Sequence, residues 1–466
     1  MNSQNHKNRS GLALPLVSLL ALAVSAGAQA APQANPGGNF SGVNNTEAAF
    51  EPLGNTMTGD WGGVRKDLRD KGWDIKLEYV GEGATNLRGG YDDDRTGRWS
   101  SQYMFGLWGD MNKIAGWENS VFKLAITSRD GRNLTDDRIT DPRVGGYSSV
   151  QEVYGRGQTW RLTQLWLSKG FFDGRLDIKA GRFGEGEDFN SFECDFQNLA
   201  FCGSQVGNWE GVWYNWPVSQ WALRVKYNLT PELFVQVGAY EQNPSLLETG
   251  NGFKLNGSGT KGAVLPVEMV WSPKVNGLPG EYRVGYYYST ADANDVYEDV
   301  NGNSAALTGL DYKEHSSKHG YWVVARQQIT AHNDDPSRGL SVFANFTAHA
   351  KDVNKVSSYV QAGLVYKGPF DGRPKDDIGF GVARITTNGD FRDNQRALNQ
   401  AAGATDYNDP AFTPLQHNEY DAEIYYGVHV TNWLTVRPNL QYIKNPGGVR
   451  EVDNAVVGGL KVQAVF

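Results

Sequence analysis

Residues 456–466, VVGGLKVQAVF, close the chain on an alternation: Leu460, Val462, Ala464 and Phe466 fall on one side of an extended backbone, Lys461, Gln463 and Val465 on the other. Chain ends usually fray, and few finish on a large apolar residue without something to cover it. What covers the apolar side, a protein core or lipid, decides the fold.

Working back from that end, the same period of two recurs from residue 73 onward. In QWALRVKYNL, Trp221, Leu223, Val225, Tyr227 and Leu229 share a face opposite Arg224 and Lys226. In GEYRVGYYYS, Tyr282, Val284, Tyr286 and Tyr288 oppose Arg283, and GLSVFANFTAH and DAEIYYGVHVTNW repeat the pattern. Sixteen such segments start near residues 73, 101, 120, 158, 174, 218, 233, 260, 281, 317, 339, 355, 376, 419, 435 and 454.

Their connections also alternate. Tight turns such as FFDGRL, NLTPEL, HNDDPSRG and VTNW, rich in Gly, Pro, Asn and Asp, separate long polar links around 88–100, 132–157, 190–217, 245–259, 296–316, 391–418 and 446–453. AKDVNK at 350–355 is one tight turn on the long-link side. Short and long connections in turn, with an even number of strands, describe an all-β fold: a transmembrane antiparallel β-barrel of 16 strands with turns at one rim and loops at the other. A soluble sandwich has no reason to sort its loops by length. Hydrocarbon tolerates no unpaired edge, so the last strand must pair with the first, near WDIKLEYVGEG. The apolar side of residues 460–466 is then expected to face lipid, and Trp73, Trp99, Trp117, Trp160, Trp271 and Trp433, near strand ends, to form interfacial girdles.

The first 30 residues read as a signal peptide: Lys7 and Arg9, an apolar stretch from Leu12 to Val24, and Ala28-Gln29-Ala30 as a cleavage site. Residues 31–72 are expected to be an N-terminal periplasmic extension whose TGDWGGVRKDLRDKGWD stretch makes one short helix stopped at Gly72, with the barrel over 73–466. The mean hydropathy of −0.51 excludes a helical membrane protein, and the abundance of aromatic residues, with 22 Tyr, 20 Phe and 14 Trp, excludes disorder. A net charge of −8 lacks the basic footprint of a nucleic-acid binder. Cys194 and Cys202, eight positions apart in an exported chain, are expected to form a local disulfide.

Several stretches together resemble the carbohydrate-selective outer-membrane porins, the glucose porins of Pseudomonas-like bacteria. They are TGDWGGVRKDLRDKG, KAGRFGEGEDF, NLTPELFVQVGAYEQNP, YKGPFDGRPKDDIGFGVA, VRPNLQYIKNPGG and GGLKVQAVF, spread over residues 55–466. The resemblance implies passive diffusion of monosaccharides such as glucose across the cell outer membrane, through a narrow eyelet and without a cofactor. Monosaccharide and outer-membrane lipid are the partners it implies, and association into a homo-oligomer stays open.

The alternation also places side chains inside. Inward positions carry Lys123, Arg129, Lys179, Arg224, Arg283, Arg326, Arg437 and Lys461, with Asp177, Glu268 and Glu423 as acidic counterparts, so the wall is basic although the chain is acidic. Fixed donors in such rows, with aromatic faces, suit a sugar's hydroxyls and ring. Arg129, Arg182, Glu185, Trp209, Glu210, Trp213, Arg224, Arg283 and Arg326 are the candidate pore-lining residues. The link 190–217, stiffened by the disulfide and holding GNWEGVWYNW, is the candidate constriction, although its Trp residues also suit an outer girdle or a cluster that merely packs the loop. A basic wall has a second reading, an anion or small organic-acid channel. Carboxylates paired with each Arg favour sugar, and unpaired Arg ladders favour anions. No enzyme is expected, and a barrel enzyme or adhesin is the least supported alternative, since His349 and His429 on inward faces lack a nucleophile arrangement. No metal is expected either, His315 and His319 lying in a polar stretch without the HExxH order.

Overall fold

The computed structural model describes residue 50 and residues 52–466 except 210 and 212. The expected signal peptide, residues 31–49 and 51 of the expected N-terminal extension, and Glu210 lie outside the described residues. Sixteen antiparallel strands form one closed barrel: β1 Trp73–Gly90, β2 Gly97–Asp110, β3 Ser120–Gly131, β4 Thr159–Phe171, β5 Leu176–Phe183, β6 Gln220–Asn228, β7 Leu233–Gln242, β8 Gly262–Trp271, β9 Leu278–Ser289, β10 Lys318–Gln328, β11 Gly339–His349, β12 Val356–Lys367, β13 Asp377–Thr387, β14 Glu419–His429, β15 Leu434–Lys444 and β16 Asp453–Val465. Each pairs with its neighbours in sequence, and a two-residue extension, Lys274–Val275, lengthens the β8–β9 hairpin. A separate two-stranded sheet, Ala293–Asp299 with Tyr312–His315, stands in the β9–β10 loop.

Closure follows the sequence expectation. Strand β1 runs antiparallel to β16 from Glu78 opposite Val465 to Gly90 opposite Asp453, so no barrel edge is left open. Along β8, Leu265, Val267, Met269 and Trp271 are exposed while Val264, Glu268 and Val270 are buried, and along β9 Val284, Tyr286 and Tyr288 alternate with buried Arg283, Tyr287 and Ser289. Leu460 likewise faces out beside buried Lys461. Trp99, Trp117, Trp160 and Trp271 sit exposed near strand ends, as an interfacial girdle requires.

The charged stretch before β1 folds as a helix, Val64–Asp70, and it is tied to the barrel seam. Buried Arg65 donates to the carbonyl of Ile75 at 2.6 Å and to that of Phe466 at 3.3 Å, while Arg69 forks onto Asp74 at 2.8 and 3.0 Å. The Met57 amide donates to the Val465 carbonyl at 2.8 Å. One side chain therefore joins the helix, the first strand and the last residue.

Candidate functional site

The link between β5 and β6, residues 184–219, runs through the barrel interior. Its contacts admit no other path: the Asn190 amide donates to Glu268 of β8 at 3.0 Å, the Gln197 and Asn198 amides to Glu423 of β14 at 2.9 and 2.7 Å, and the Gln197 side chain to the Gly83 carbonyl of β1 at 3.0 Å. Aromatic residues seat it. Phe196 packs on Phe343 and Tyr425 at ring distances of 5.9 and 4.9 Å, and Phe201 lies against Gly381, where a Cβ would stand 2.8 Å from its ring. Cys194 and Cys202 are joined by a disulfide within this stretch.

Charge does the rest. The loop segment GEGEDFNSFECDF, residues 184–196, brings four of its five carboxylates, Glu187, Asp188, Glu193 and Asp195, to wall cations. Lys179 reaches Glu187 at 2.9 Å and Asp188 at 3.0 Å, Arg224 lies between Asp177 and Asp188, and Arg283 binds Glu268 at 3.1 Å and Glu281 at 2.8 Å. Arg326 meets Glu193 at 2.5 Å, Arg437 meets Asp195 at 3.2 Å, and Lys461 sits 3.3 Å from both Glu82 and Glu152. Negative charge of an acidic chain thus lies partly inside the barrel, where wall cations meet it.

The nine candidates divide by placement. Arg129 and Trp216 meet on one acceptor, Gln102 Oε1, at 2.7 and 3.0 Å, and Arg129 also faces Glu152 at 3.6 Å. Arg224 and Arg283 converge on Asp188. Arg326 stands apart on Glu193, and Arg182 turns to the Ser219 and Lys254 carbonyls. Glu185 is buried and accepts from the Tyr214 amide at 3.2 Å, holding the loop's own fold. Trp213 is 0% exposed, edge-on to Trp322 at 5.5 Å and donating to Ser204 at 2.7 Å. Trp209 stacks toward Tyr359 at 5.9 Å. Sequence reasoning passed over Gln102, Asp188, Glu193 and Asp195; the one signal for them was an acidic run beside a basic wall.

The outer mouth has its own clasp. Arg143 forks onto Asp141 and donates to the Tyr407 carbonyl at 2.8 Å, while the Tyr407 hydroxyl donates to Asp141 at 2.6 Å, binding the β3–β4 loop to the β13–β14 loop. Burial pushes the Asp141 carboxyl up, but Arg143 and Tyr407 outweigh it and hold it below its ordinary value. A groove of about 510 Å³, lined by Tyr91, Arg143, Tyr407 and Glu451 among others, opens beside this clasp. His315 pairs with Asp295 at 2.8 Å in the two-stranded sheet and shares no helix with His319. The model of the family described as carbohydrate-selective porin, OprB family, matches residues 94–466.

The chain belongs to this family of carbohydrate-selective porins. It is similar to Porin B of Pseudomonas aeruginosa, 67% identical over 421 residues that cover 90% of this chain and 93% of that protein. The putative porin QuiX of Acinetobacter baylyi is 45% identical over 419 residues, 88% of this chain and 93% of that one. The high-pH structure of Pseudomonas putida OprB superposes with a TM-score of 0.88 at 70% identity, covering 90% of this chain and 100% of that chain. The porin is therefore a sugar-selective channel of the outer membrane, and its family and fold point to a transporter rather than an enzyme.

Proposed function

We propose that the porin conducts monosaccharides of the glucose type through the gap between the inward loop 184–219 and the facing wall. The observation that carries this reading is the neutralisation of the wall: Arg224, Arg283, Arg326 and Arg437 each have a carboxylate partner, so their charges orient hydrogen bonds without forming an anion ladder. Arg supplies planar, multi-donor hydrogen bonding that does not titrate in the working range. Half-buried Trp209 and Trp216 supply apolar faces for a pyranose ring.

On this reading the candidates act in two ways. Arg129 and Trp209 touch the sugar, whereas Arg182, Glu185, Trp213, Arg224, Arg283 and Arg326 set the width of the passage by holding the loop. Single channels in planar bilayers test it: glucose should block the ionic current saturably, with cation and anion permeabilities of similar size. Strong anion selectivity without glucose block would replace the substrate with a small anion. A homo-oligomer, which the sequence left open, would appear as equal conductance steps per inserted unit, because each barrel carries its own loop.

A further inference from the structure

Strand β14 presents three carboxylates to the interior at alternate positions, Glu419, Asp421 and Glu423, all buried, and among the described residues none of them is in an ion pair. Two are satisfied by backbone amides. Glu419 accepts from Ser148 and Gly447, at 2.9 and 2.5 Å, and Glu423 from Gln197 and Asn198. Among the described residues Asp421, 3% exposed, accepts only from the Asn198 side chain at 3.2 Å, and its Oδ2 has no partner.

Glu419 and Asp421 line a cavity with Thr135, Thr140, Ser148, Ser149 and Asn198. It encloses about 10 Å³ of space for the centre of a water-sized particle, enough for one such particle. An ionised carboxylate buried with no counter-charge is costly: Glu419 has its backbone amides and the charge of Lys355 in reach, whereas Asp421 has no cation beside it among the described residues and turns an unpartnered oxygen to the cavity, which calls for a cation there. Every polar side chain around it offers oxygen, from carboxylates, hydroxyls or an amide, and none offers the nitrogen or sulfur that zinc favours. Mixed oxygen donors from several loops suit the flexible, high-coordination shell of calcium better than the strict octahedron of magnesium.

We propose that this cavity is a binding site for one divalent cation of the calcium type, held by Glu419 and Asp421. It ties two loops to the wall at once, because its lining comes from the β3–β4 loop, the inward loop 184–219 and strand β14. The cation is a structural pin for the constriction, separate from the sugar path.

The test refolds the full porin in detergent with either calcium chloride or EGTA, removes unbound metal by gel filtration, and measures metal content by mass spectrometry and the unfolding temperature of each sample. One calcium per chain and a higher unfolding temperature in calcium are expected. Asp421→Asn, which keeps the shape and removes the charge, should weaken calcium binding by on the order of 10-fold or more, while Glu298→Gln, in the two-stranded sheet of the β9–β10 loop and away from the cavity lining, should keep it. Calcium well below one per chain, or unfolding that is indifferent to EGTA, overturns the proposal and assigns the cavity to a water or a proton on Asp421. Equal calcium in wild type and Asp421→Asn also overturns it, by placing the metal on co-purified lipid. Should Asp421→Asn fail to refold, the wild-type comparison alone decides.

Discussion

Arg224 shows what an interior charge does in this barrel. It is 0% exposed, with Asp177 on its own wall and Asp188 on the inward loop. Removing one partner of a buried pair strands the other charge, so Arg224→Ala is expected to lower stability by about 3–5 kcal/mol, read as the urea midpoint of the refolded porin in detergent. Asp141 gives a pH prediction at the same scale. Its folded carboxyl titrates below the ordinary 3.8 because Arg143 and Tyr407 outweigh its burial. The unfolded chain binds the proton first as pH falls, so the clasp contributes fully above pH 3.8 and is lost as pH drops through the lower folded value. Hydrogen exchange in the 132–158 and 388–418 loops should rise below that point, and Asp141→Asn should show the faster exchange at neutral pH too.

For an element, the inward loop is the instructive case. Its position depends on aromatic seating as much as on charge, since Trp213 packs with Trp322, Tyr287 and Phe189 in one buried cluster that joins loop and wall. Trp213→Ala should cost about 3–5 kcal/mol and enlarge or destabilise the single-channel conductance, while Trp213→Phe should do much less. The loop's existence was legible as a long polar link holding both cysteines and three Trp residues. Its route was not, because the partners that seat it, Phe343, Tyr359 and Tyr425, lie more than a hundred residues away and look like ordinary inward strand positions.

Across the whole molecule, the seam between β1 and β16 is where a barrel must not open. Arg65 reaches both sides of it, donating to Ile75 and to Phe466. Hydrogen bonds from a charged donor contribute about 1.5–3 kcal/mol, so Arg65→Ala is expected to lower the temperature at which the folded barrel converts to the unfolded band in gel electrophoresis. Single-channel conductance should stay near the wild-type value, because the helix lies away from the inward loop.

Strand number, strand starts within a few residues, loop sorting and closure were all readable in the sequence. The reason is that lipid on one side and a polar interior on the other impose a local period of two on every strand, and each hairpin is settled by its own turn residues. The structure alone decided which wall charges meet which loop charges, that Trp213 is buried while Trp209 and Trp216 stay partly open, and that Glu419 and Asp421 share a cavity. Those facts depend on a loop crossing the interior to strands far away in the chain, and nothing in a local pattern encodes the partner on the opposite wall.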